Sequence, residues 1–331
     1  MDPIIFADFL GQPLWMWAAF LTLVAGLLAF DLGVLNRGNH EIGVRQSLLL
    51  SSFYIVLGVA FGGFVWLTVG QQAGIEYLTG FVIEKSLAID NIFVIATIFG
   101  FLAIPRQYQH RVLFWGILGV IVLRAIMIGV GATLVSQYGW ILYIFALFLV
   151  FTGIRMLFTG DHEPDMANNR LLAFFRKRFR VTGELEGNRF LVTRPHPKSG
   201  KPVLWMTPLL LALVMIEFAD VIFAVDSVPA IFAITTDAYV VYTSNIFAIL
   251  GLRALYFALA AVLHRFAYLK QALAILLIFI GSKIFVADLL GWQKFPAEWS
   301  LGVTFLILGA GIGYSLWRSR RDAPALPAAG E

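Results

Sequence analysis

The chain has 331 residues, of which 60% are hydrophobic and 13% charged, with a formal net charge of +4 and no cysteine. A soluble domain carries about 25% charged residues, so an ordinary soluble fold is excluded. The lack of cysteine excludes a disulfide scaffold, thiolate metal ligation and a thiol nucleophile. What remains is a polytopic membrane protein.

Nine apolar runs follow one another at roughly 14–35, 47–69, 76–104, 111–136, 138–158, 204–235, 239–263, 270–290 and 298–317. Each approaches or exceeds the length of about 20 residues that a helix needs to cross hydrocarbon. The first run is not a signal peptide, because Asp2 and Asp8 precede it without a basic segment. None of the runs alternates as a barrel strand would. Basic connections (Arg37 and Arg45; Arg106 and Arg111; nine Lys and Arg in 159–203; Arg265 and Lys270; Arg318, Arg320 and Arg321) alternate with bare ones, Lys294 excepted. Positive charge stays cytoplasmic, so the N-terminus is expected outside and the C-terminus in the cytoplasm.

The expected organisation is an all-α, multi-pass protein with a single transmembrane domain over 1–322 and a disordered Ala/Pro/Gly tail at 323–331. Within the long loop, 169–180 reads as a basic amphipathic helix lying on anionic lipid. Topology alone accounts for that charge, and no nucleic-acid partner is expected. Around a Pro/Gly/Lys turn, 189–193 and 203–206 read as a small hairpin.

The third to fifth runs and the sixth to eighth share features in the same order. Glu84 and Asp90-Asn91 match Asp220 and Asp226-Ser227, with a spacing of six between the acids in both. Leu123-Arg124-Ala125 matches Leu252-Arg253-Ala254, and Phe151-Thr152-Gly153-Ile154-Arg155 matches Phe279-Ile280-Gly281-Ser282-Lys283. One unit, about 76–158, enters from outside; the other, about 204–290, enters from the cytoplasm after the 159–203 loop. Inverted three-helix units with a midplane site are a recurrent plan of secondary transporters. The first, second and ninth runs are then peripheral.

Ionisable groups inside a span cost at least about 2.5–3.5 kcal/mol each and mark function by default. Five deep acids (Glu84, Asp90, Glu217, Asp220, Asp226) face three deep bases (Lys85, Arg124, Arg253), an excess that suits a cation. The bland alternative is ion pairing, with each arginine holding one acid. All five histidines lie in or beside connections, which leaves carboxylates, Asn91, Ser227, Asn245, Ser244 and backbone carbonyls as donors. Oxygen donors suit Mg, Ca and Mn. At about 100° per residue, Glu84 and Asp90 point about 120° apart, as do Asp220 and Asp226. The acids therefore serve successive positions on a path, or a helix breaks near the site. Pro229 favours a break in the sixth span. Asp237 reads as a helix N-cap, Asp31 and Asp288 as interfacial charges, and Lys283 and Arg155 as snorkelling bases.

Residues 80–91 (Gly-Phe-Val-Ile-Glu-Lys-Ser-Leu-Ala-Ile-Asp-Asn), 217–230 (from Glu217-Phe-Ala-Asp220 to Asp226-Ser-Val-Pro-Ala) and 243–254 (Thr-Ser-Asn-Ile-Phe-Ala-Ile-Leu-Gly-Leu-Arg-Ala) resemble signatures of the TerC family of integral membrane proteins. The likeness covers roughly 14–315 and is greatest to the family's Alx-type branch, which has nine helices and a long basic loop. The resemblance implies export of manganese(II) from the cytoplasm through the inner membrane, and kinship with inverted-repeat LysE-type exporters. It assigns Glu84, Asp90, Glu217, Asp220 and Asp226 to the metal path, with Asn91, Asn245 and Arg253 as polar companions. Mn2+ is then the cargo, and neither an organic cofactor nor a catalytic step is expected. The alternative is a membrane-embedded assembly or metal-delivery factor for secreted or inserted proteins; a protein partner is left open.

Overall fold

The computed structural model describes residues 7–31, 43–158, 172, 174, 178–195, 200–259, 269–292 and 294–321, with Asp90, Leu269 and 319–321 in backbone only. The fold is all-helical apart from two short hairpins. Its helices are α1 (Leu14–Phe30), α2 (Val44–Thr68), α3 (Gln71–Phe101), α4 (Arg106–Gln137), α5 (Ile141–Phe158), α6 (Pro208–Phe232), α7 (Ala238–Leu250), α8 (Leu252–Leu259), α9 (Leu269–Leu289) and α10 (Ala297–Arg321). α7 and α8 are one span interrupted at Gly251. Among the described residues, seven helices are long and apolar enough to cross a membrane: α2, α4, α5, α6, α7–α8, α9 and α10. α1 has 17 residues, and α3 carries Glu76, Glu84, Lys85 and Asp90 in a 31-residue helix. Many apolar side chains face outward, among them Leu67, Leu147, Phe151, Leu289 and Leu306.

Both hairpins are antiparallel. β1 (Asp8–Phe9) and β2 (Gln12–Pro13) turn through Leu10 and Gly11, both at positive φ, and Asp8 accepts the Gly11 amide at 2.9 Å. The hairpin expected in the long loop is present as β3 (Leu191–Pro195) and β4 (Pro202–Met206). Pro208 sits in the first turn of α6, where its missing N–H leaves no bond unmade. Arg111 at the start of α4 stacks over Phe190 at 5.1 Å. The basic segment at 169–180 falls largely outside the described residues, as does the 323–331 tail.

Small residues set the closest helix approaches. α5 and α9 form the most extensive pairing, and α3 with α7 and α4 with α6 come next. A Cβ on Gly153 of α5 would lie 2.6 Å from the Ala274 carbonyl of α9, and one on Gly281 of α9 would lie 2.5 Å from the Ala146 carbonyl of α5. Lipid tails are as apolar as leucine, so close backbone packing rather than hydrophobic exclusion holds such a pair. Aromatic rings from α1, α2, α3 and α7 fill one flank, with Phe61 and Phe247 centroids 4.5 Å apart.

Three expectations need correction. α6 is continuous through Pro229, because only one turn follows the proline and a single lost N–H does not break it. The interruption lies in the next span, at Gly251. Lys283 does not snorkel: it is 5% exposed and donates to Ser300 of α10 at 3.2 Å. Nor are the outer helices merely peripheral, since α1 and α10 each supply a partner to a buried base of the central helices. Asp237 caps α7 as expected, accepting the amides of Tyr239 (2.8 Å) and Val240 (3.1 Å).

Gly281→Val places branched carbons against a backbone carbonyl that cannot move aside. We expect a loss of about 1–3 kcal/mol, as for overpacked cores, read as a lower unfolding midpoint in detergent. Gly302→Ala on α10, with open space around its Cα, is the control and leaves the midpoint unchanged.

Candidate intramembrane carboxylate site

Four helices converge on one guanidinium. Arg124, in α4, is 1% exposed. Its Nη1 donates to Glu84 of α3 (2.5 Å), Asn245 of α7 (2.7 Å) and Ser227 of α6 (3.0 Å). Its Nε and Nη2 donate to the two oxygens of Asp220 in α6, each at 3.4 Å. Asn245 also donates to the second oxygen of Glu84 at 3.2 Å. Helical spacing explains who takes part. Glu84 reaches the group from α3, while Asp220 and Ser227 are seven residues apart and share a face of α6.

Glu217 stands one turn before Asp220 on that face. Its carboxylate occupies a slot in α4 where Gly119 has no side chain; a Cβ there would collide with it. One Glu217 oxygen is buried without a hydrogen-bond partner. Counting Glu217, seated beside Gly119, with the two acids paired to Arg124, this stretch of α3, α4 and α6 carries three carboxylates against one guanidinium, a surplus of two negative charges when all are ionised.

Of the other sequence candidates, Asn91, Asp226, Lys85 and Arg253 make no hydrogen bond to Arg124. Asp226 turns to α5, where Thr152 donates to it at 3.3 Å. That is the divergence expected of acids six apart on an unbroken helix. The backbone of Asp90 lies six residues along α3 from Glu84, and its side chain is outside the described set. Asn91 is buried and lines a cavity of about 20 Å3 with Asp220, Arg253 and Gly116. Lys85 turns from Glu84 to α7, donating to the Ala248 carbonyl at 2.8 Å, three residues before the Gly251 interruption. A Cβ on Gly251 would lie 2.8 Å from the Lys85 ammonium and 2.9 Å from Tyr54 of α2, so glycine makes that approach possible. Arg253 pairs with Asp31 at the end of α1. Among the described residues, no three His, Cys, Asp or Glu side chains converge to hold a metal ion.

Sequence reasoning missed Thr152, Gly119 and the Asp31–Arg253 pair. Thr152 and Gly119 carry no chemical signal of their own. Asp31 stands at a span end, where charges are ordinary.

The model of the integral membrane protein TerC family matches residues 69–323. This chain belongs to the TerC family. It is 47% identical to an uncharacterized membrane protein of Rickettsia bellii over 91% of this chain and 97% of the relative. It is 42% identical to an uncharacterized membrane protein of Myxococcus xanthus over 95% and 97%. A proposed membrane-bound redox modulator, Alx, of Escherichia coli K12 is 43% identical over 94% and 97%. No solved structure matches. The TerC match begins at the end of α2, so α1 and its Asp31 precede it.

Removing one member of a buried ion cluster strands its partners, at about 3–5 kcal/mol. Arg124→Gln is expected to lower the unfolding midpoint sharply, and Arg124→Gln/Glu84→Gln to recover part of the loss. Equal midpoints for the two variants would show that Glu84 does not depend on Arg124.

Proposed function

We propose that this TerC protein exports manganese(II) from the cytoplasm across the bacterial inner membrane by alternating access. The observation that carries this reading is the cage around Arg124. Carboxylate, amide and hydroxyl oxygens from α3, α6 and α7 surround a positive charge. Arg124 serves as a resident cation. When α4 draws it back, Glu84, Asp220, Ser227 and Asn245 turn to the ion, and its return expels the ion. Glu217 and Asn91 line the approach on the Asp220 side, and Asp90 and Asp226 are further stations on the path. Oxygen donors suit Mn2+, Mg2+ and Ca2+; the resemblance to manganese exporters of the family selects manganese. Protons are a suitable counter-ion, since the carboxylates can take them up. No enzymatic step is assigned.

In this reading all nine runs span the bilayer, N-terminus outside and C-terminus cytoplasmic. α1 is described over 17 residues, and α3 is long but polar because it carries the site. Exchanging α3 with α6, α4 with α7–α8 and α5 with α9 maps the three most extensive pairings onto themselves. It also maps the Gly153 contact onto the Gly281 contact. Both facts support the inverted repeat.

The test is manganese flux into proteoliposomes holding only the purified protein. We expect flux in the wild type and a fall of about tenfold or more in Asp220→Asn and Glu84→Gln, ΔΔG‡ of about 1.4 kcal/mol or more. Absence of flux from folded protein, with and without a pH gradient, together with a stable partner in pull-downs, would favour the assembly or metal-delivery reading instead. Thiol redox chemistry has no support in a chain without cysteine.

A further inference from the structure

The second repeat-unit arginine is buried, half satisfied and next to the site. Arg253 is 4% exposed. Its Nη2 donates to Asp31, while its Nη1 is buried with no hydrogen-bond partner. A buried charge with unused donors calls for a second acceptor. The nearby space provides one. Arg253 shares the wall of the 20 Å3 cavity with Asp220 and Asn91, a volume that admits about one water. Asp220 is also the more loosely held of the two acids on Arg124, at 3.4 Å against 2.5 Å for Glu84.

The helix carrying Arg253 is interrupted just before it. The residue stands two positions after the Gly251 interruption, at the start of α8. Lys85 and Tyr54 brace that interruption from α3 and α2.

We propose that Asp31 is a positioning residue that holds Arg253 out of the carboxylate site, and that Arg253 replaces Arg124 on Asp220 when the protein changes state. The inference rests on the alternating-access reading above. Exchanging the two units turns Arg124 into Arg253 and Glu84 into Asp220. The opposite state therefore sets the other arginine between the same two acids, with Asn91 in the place of Ser227 and Gly116 in that of Asn245. Asp31 lies outside both units. Among the described residues, the side-chain partners of Arg124 come from α3, α6 and α7, and no outer helix offers it an equivalent carboxylate. Asp31 thus breaks an otherwise even balance between the arginines and sets which state is favoured.

The chain has no cysteine, so Val120→Cys in α4 places a single thiol in the cavity wall. Labelling by a small permeant thiol reagent in membrane vesicles then reports whether the cavity is open. We expect Asp31→Asn to slow labelling about fivefold or more, within the usual range of conformational coupling, because the released Arg253 fills the cavity. Adding Arg253→Gln restores the rate. Manganese affinity of the purified protein follows the same order, weaker in Asp31→Asn and recovered in the double variant. If Asp31 only clamps α1, the double variant stays as impaired as the single one, and the exchange is overturned. Ile117→Cys, on the same wall, substitutes if the first reporter does not fold. A parent protein that binds no manganese, yet labels in the expected order, would sink the metal reading and leave the exchange standing.

Discussion

The structure turns on one buried guanidinium. Removing an arginine from water inside a membrane is costly by any scale, and Arg124 is almost wholly enclosed. It is tolerable only because two carboxylates, an amide and a hydroxyl meet it. Those groups come from three other helices, so α3, α4, α6 and α7 must hold a common register. The constraint runs both ways. Glu84 and Asp220 would be as costly without the arginine as the arginine without them. Helix packing elsewhere is governed by glycines and aromatic rings, which set distances. The ion cluster sets heights and rotations.

This cluster also reconciles two readings that look opposed in the sequence. Deep acids and bases in adjacent spans fit either a cation site or structural ion pairs. Around Arg124 the two coincide: an oxygen cage for a cation holds a cation that belongs to the protein. Charge does not close at that point. Glu217 adds a third carboxylate with an unpartnered oxygen, seated where α4 has glycine. A purely structural cluster has no use for such a group, since leaving a buried acceptor unsatisfied only destabilises.

Much of this was legible in the sequence, and what was not has definite causes. Seven of the nine apolar runs return, among the described residues, as helices long and apolar enough to cross a membrane, and the acids were marked by their cost in hydrocarbon. The divergence of Asp220 and Asp226 follows from helical geometry alone, and they do face α4 and α5 respectively. Partner choice was not legible. Lys85 follows Glu84 in the chain, yet the turn of about 100° between neighbours sends it to α7. The helix interruption fell at Gly251 rather than near Pro229. A proline in the last turn loses one bond, whereas the glycine lets a lysine and a tyrosine approach the backbone where the helix is interrupted. Asp31 could not be read as functional, because only the three-dimensional packing brings the end of α1 against α8.

A resident guanidinium bears on which ions the proposed site would accept. Any cargo must displace a single positive charge already held by several hydrogen bonds. A monovalent cation offers the carboxylates no more charge than Arg124 does, and it lacks the directed N–H donors. A divalent cation doubles the Coulomb attraction at the same distance, and that attraction grows as water is excluded. The surplus of two negative charges, counting Glu217, then matches a 2+ ion in exchange for the arginine's withdrawal only if one carboxylate keeps contact with Arg124 or takes up a proton. Asp220, held at 3.4 Å, is the easier of its two acids to release, ahead of Glu84 at 2.5 Å. Selection by valence in this scheme comes from competition with a built-in cation, and selection among divalent ions is left to the geometry of the oxygen donors.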